Sequence, residues 1–94
     1  MSSWQKVGEI GVDAGICWIG DPCYVFHKAS PPDAIGKDWH DFCDKLTFLS
    51  HNEYAQQFGS GLGVCVSTGY GDGTYPVEVK IKDGRVKEVR VKFF

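Results

Sequence analysis

The sequence predicts an α+β fold, mainly β: a twisted antiparallel sheet or partial barrel of about five or six strands with one short helix packed on it. Three observations predict it. The C-terminal third alternates apolar and charged residues around Asp83-Gly84, further short Val- and Ile-rich runs are separated by Gly-rich breaks, and a single helical stripe interrupts them in the middle.

Taking the elements in chain order, Trp4 to Val12 is rich in Val and Ile and reads as a strand, with Gly8 and Gly11 permitting a kink. Ile16-Cys17-Trp18-Ile19 is apolar at every position, the pattern of a strand covered on both faces. Gly20-Asp21-Pro22 then breaks the run, and Cys23-Tyr24-Val25-Phe26 either continues as strand or turns back.

Asp38 is placed to cap a helix in which Trp39, Phe42, Cys43 and Leu46 form one apolar stripe at i, i+3, i+4 and i+7. His40, Asp41, Asp44 and Lys45 take the opposite side, with Asp41 and Lys45 spaced for an ion pair. Such a helix lies flat on the sheet. Polar loops flank it, Lys28 to Lys37 with the stop at Ser30-Pro31-Pro32-Asp33, and Ser50 to Gly61.

Leu62 to Thr68 reads as a strand, and Gly69-Tyr70-Gly71-Asp72-Gly73 links it to a hairpin spanning about Tyr75 to Phe93. Asp-Gly suits a two-residue turn whose central residues both need positive φ. The inward phase of the last strand slips between Val86 and Val89, so a bulge is expected near Lys87-Glu88. The three strands would form a meander.

At 94 residues the chain fits one domain, 1–94, and its large aromatic complement supplies a single core. A net charge of −2 with both signs spread along the chain gives no field that favours duplex nucleic acid. No window has the apolar length of a membrane span or a signal peptide, so no membrane partner is expected and cytoplasmic residence is the default. Cys17, Cys23, Cys43 and Cys65 are then read as free thiols.

The candidate chemistry sits in two Gly-Asp loops, Gly20-Asp21-Pro22-Cys23-Tyr24 and Gly69 to Pro76. Each sets a carboxylate beside aromatic rings on tight backbone, so Asp21 and Asp72 could accept hydrogen bonds while Tyr24, Tyr70 and Tyr75 stack on or line a planar ligand. The competing reading is that Asp merely caps a turn. The second loop spends more glycine than a hairpin connection ordinarily needs. Zinc spacing is lacking around Cys17, Cys23 and His27, so neither metal nor cofactor is expected. Trp18 and Trp39 are read as core.

The segments Val12-Asp13-Ala14-Gly15, Gly20-Asp21-Pro22-Cys23-Tyr24 and Gly69-Tyr70-Gly71-Asp72-Gly73-Thr74-Tyr75-Pro76-Val77 resemble an uncharacterised group of small bacterial and phage proteins. That resemblance implies a compact β-rich domain, a phage setting with a host molecule as target, and no catalytic residues to carry over. The expected function is a non-enzymatic binding domain holding a small polar or nucleotide-like ligand between the two loops. The alternatives are a module that binds or inhibits a host protein, and a small hydrolase using Cys23 or the pair Asp21 and Asp72. Oligomeric state is left open.

Overall fold

A computed structural model of the chain describes residues 3–26, 33–48 and 51–94. His27, residues 28–32 of the expected Lys28–Lys37 loop, and Leu49 and Ser50 lie outside the described residues. The protein is mainly β with two short helices. The described residues form six strands, all antiparallel to their neighbours and shared between two three-stranded sheets. Each sheet belongs to its own compact unit, one made of Met1–Gly15 with Thr68–Phe94 and the other of Ile16–Ser67.

In the first unit β1 (Gln5–Val12) and β6 (Arg85–Val91) flank the central β5 (Gly73–Lys82). The hairpin forms as its pattern requires: Asp83 and Gly84 both take positive φ, 54° and 75°, which matches the right-handed twist of the flanking strands. Where Lys80 faces Glu88 and Ile81 faces Val86, Lys87 is the extra residue, so the bulge falls where the phase slip demands. Its effect is to return Val86 to the face that carries Val89 and Val91. That apolar face also holds Tyr75 and Val79, both buried, and Phe93 meets the Tyr75 ring edge-on at 5.2 Å between centroids.

The opposite face of this sheet is charged and ordered. Arg90 Nε donates to Glu78 Oε1 at 2.7 Å, Lys80 lies 3.9 Å from Glu88, and the Arg90 guanidinium covers the Trp4 ring at 4.0 Å.

In the second unit β4 (Gly63–Ser67) runs between β2 (Ile16–Ile19) and β3 (Ala55–Phe58). The expected meander is therefore corrected. The strand before the Gly-rich loop pairs with β2 and β3, and β5 pairs with β1 and β6. The physical reason is the loop itself: Gly69 and Gly71 at φ 73° and 82° turn the chain out of one sheet before β5 begins the other. β3 replaces part of the polar loop expected at 50–61. Its Gln56 and Phe58 share one face and read poorly as an apolar alternation because one of the two is an amide.

The helix α2 (Trp39–Lys45) starts at the cap its sequence offers, with Asp38 Oδ1 accepting the Asp41 N–H at 2.8 Å. It packs on its sheet through Phe42, whose ring stacks on Phe58 at 5.0 Å and meets Trp18 edge-on at 5.6 Å. Phe48, Phe58 and Cys65 form the buried cluster beneath. The stripe is narrower than expected, because Cys43 is exposed, and the outer face pairs His40 with Asp44 rather than Asp41 with Lys45 among the described residues.

Gln56 joins helix to sheet. Its Oε1 accepts the Thr47 N–H at 2.8 Å and the Phe48 N–H at 3.3 Å, and its Nε2 donates to the Lys45 carbonyl at 2.8 Å. A half-buried amide thus satisfies backbone groups that the helix end leaves over.

Candidate functional site

The expected ligand residues divide between the two units. In Ile16–Ser67, the Asp-Pro step starts a short helix, α1 (Pro22–Phe26), instead of a strand. Proline at the first helical position has no N–H to lose, and Asp21 Oδ1 accepts the Cys23 N–H at 2.9 Å, so the carboxylate is occupied as a cap. Tyr24 stands half exposed on that helix.

In the unit holding Thr68–Phe94, the Gly-rich loop is tied to itself. Thr68 Oγ1 donates to the Gly71 carbonyl at 2.9 Å and accepts the Gly71 N–H at 3.0 Å. Tyr75 is buried and its hydroxyl donates to the same carbonyl at 2.7 Å. The glycine content that looked excessive is used here to reach positive φ in a loop closed by Thr68 and Tyr75. Tyr70 and Asp72 remain exposed at its tip.

A concave site forms elsewhere, wholly within Ile16–Ser67. It is a cleft of about 380 Å³ walled by Trp18, Val25, Ile35, Trp39 and Phe42. Each wall has a local cause. The Trp18 indole leaves β2 and sits against Gly63, where any Cβ would lie 2.1 Å from its ring. Gly20, whose Cβ would lie 2.8 Å from the indole nitrogen, leaves room for the adjoining Nε1 of the same ring. Phe42 and Phe58 then hold the indole edge-on from the helix side, at 5.6 and 5.3 Å.

Trp39 begins α2, stacks on Phe42 at 5.8 Å, and keeps 59% of its surface exposed. The rim is polar: Gly36, Lys37 and Asp38 lead into the helix, with the Lys37 N–H reaching Asp41 Oδ2 at 3.4 Å. Trp18 Nε1 is buried and has no hydrogen-bond partner among the described residues. An indole donor left unsatisfied costs on the order of 1–3 kcal/mol, which makes it the unexplained polar atom of this region.

Sequence reasoning assigned both tryptophans to the core and so missed this cleft. One signal could have found it: Trp39 follows the cap directly, and the first residue of a seven-residue helix has no preceding turn of its own to cover it.

Ionisation marks the buried thiols as inert. Burial, followed by the charge of nearby Cys17, pushes the Cys65 thiol up to about 11, and burial raises Cys17 as well. On the outer face of α2, His40, Asp41 and Asp44 bring three ligand atoms within 4.8 Å of one another, an exposed group that geometry alone does not make a metal centre. No helix among the described residues is long and apolar enough to cross a membrane. Comparison with protein-family models, curated proteins and solved structures yields no match.

Proposed function

We propose that this protein is a binding domain whose aromatic cleft takes a small, planar ligand with a polar or anionic edge, nucleotide-like in character. The observation that carries this reading is Trp39: a large ring held out to solvent, stacked on Phe42 at the mouth of an apolar cleft. An exposed indole costs hydrophobic free energy unless something covers it, and a planar heterocycle does so while gaining stacking worth ~1–3 kcal/mol. The volume falls within the usual range for ligand sites. Lys37, without an ion-pair partner among the described residues, stands at the rim where an anionic group of the ligand would lie.

This reading keeps the expected ligand class and moves its support from the two Gly-Asp loops to the cleft. Titrating the protein with adenosine, AMP, guanosine and GMP while recording tryptophan fluorescence and melting temperature tests it. The expected result is quenching with a raised melting temperature for at least one nucleotide, abolished in Trp39→Ala and weakened in Lys37→Ala for the phosphorylated compounds only. Unchanged fluorescence and melting with all four compounds at millimolar concentration would overturn it.

A further inference from the structure

We infer that the free edge of β6 is a self-association surface, on which a second copy of this chain pairs antiparallel about a two-fold axis at Val89. The inference is independent of the cleft. Among the described residues β6 is the last strand of its sheet and bonds only to β5, leaving its other edge without a strand partner. Arg85 to Val89 are all exposed, and Val89 keeps 60% of its surface. Unpaired strand edges are templates for further pairing unless something blocks them.

The direction of the backbone groups follows from the ladder. Lys92 donates its N–H to the Pro76 carbonyl at 3.3 Å. Bonded and outward-facing residues alternate along an antiparallel pair, so Arg90 and Glu88 also turn toward β5 while Val89 and Val91 turn toward the open edge. A copy centred on Val89 therefore meets outward N–H and C=O groups with its own, and the two Val89 residues exchange both bonds.

Charge selects that register. With Val89 facing Val89, Glu88 of each copy lies opposite Arg90 of the other, giving two new cross-strand ion pairs. Centring on Glu88 would set like carboxylates together, centring on Arg90 would set like guanidinium groups together, and centring on Val91 would set Arg90 against Lys92. Only the Val89 register offers complementary charges and available backbone groups at once. The bulge at Lys87 ends the regular stretch on one side.

The other edge of the same sheet offers no equal. β1 is interrupted by its own irregularity between Lys6 and Gly8 and contains Gly8 and Gly11. Pairing through β6 makes a closed, two-fold dimer with a continuous six-stranded sheet, so the association stops at two copies.

Sedimentation of the intact chain from micromolar to millimolar concentration tests the proposal. The expected result is a shift from the 10.4 kDa chain mass toward twice that value with no larger species. Val89→Pro removes an outward N–H while sparing the β5 ladder, and should raise the dissociation constant at least about tenfold. Glu88→Arg and Arg90→Glu should each be monomeric alone and should pair when mixed. Should those variants not fold, hydrogen exchange on the unaltered chain decides: the Val89 amide should become protected as concentration rises. A monomer at millimolar concentration, a folded Val89→Pro chain that still dimerises, or concentration-independent exchange at the Val89 amide would overturn it.

Discussion

Gly63→Ala isolates the contact on which the cleft is built. Gly63 opens β4, pairs with Phe58 of β3, and precedes Val64, which is paired with both Gln57 and Ile19, so the backbone has little room to yield. Its φ is one that any residue can adopt, which leaves steric contact as the sole cost. An added Cβ would meet Trp18 Cζ2 at 2.1 Å, Cε2 at 2.6 Å and Cη2 at 2.7 Å, against the 3.4 Å and more of ordinary contact. The indole must therefore move by about an ångström, and Phe42 and Phe58 stand in its way.

Overpacking of this kind costs ~1–3 kcal/mol, and a rigid, wedged ring argues for the upper end. A chain of this length holds roughly 5–14 kcal/mol in total, so a loss of about 3 kcal/mol lowers the melting temperature by ~10–20 °C. Gly11→Ala is the matched control: nothing lies within 4 Å of its added Cβ, and the substitution should be neutral or stabilise by up to about 1 kcal/mol. Urea unfolding followed by tryptophan fluorescence measures both. A Gly63→Ala loss no larger than about 0.5 kcal/mol would refute the account of the indole seated on Gly63.

Gln56→Leu should cost ~2–3 kcal/mol in the same assay, because it strands the Thr47 and Phe48 N–H groups and the Lys45 carbonyl; a neutral result would dismiss the amide as the link between helix and sheet. Under native conditions a thiol reagent should modify Cys23 and Cys43 quickly and Cys17 and Cys65 only after denaturation, and mass spectrometry counting four rapid additions would contradict the burial pattern. Because the folded Cys65 thiol is raised from 9.0 to about 11, the stability it contributes is complete below pH 9 and is lost as pH climbs through about 11. Denaturant unfolding of the unaltered chain should fall more steeply across that window than that of Cys65→Ala, by on the order of 2 kcal/mol, and parallel curves would exclude the effect.

Local chemistry was legible wherever a few neighbouring residues decide the outcome. The turn at Asp83-Gly84, the bulge at Lys87 and the Asp38 cap each depend on φ preferences, a two-residue period or one side-chain bond, all written within a handful of positions. β3 was hidden because its inward face is made of one amide and one aromatic, and α1 because Asp-Pro breaks a strand and starts a helix with equal ease.

What the sequence determined by itself was the mainly β class, the hairpin and the span of the central helix, since these follow from periodicity and backbone preference. Which strands share a sheet, and which aromatic rings stay in solvent, was decided only by tertiary structure. Pairing partners compete over long separations, and β2 meets β4 across a gap that no local pattern measures. The cleft likewise exists because Gly63, far along the chain, leaves its face bare for Trp18 to lie on, and close packing of that kind depends on the absence of a side chain.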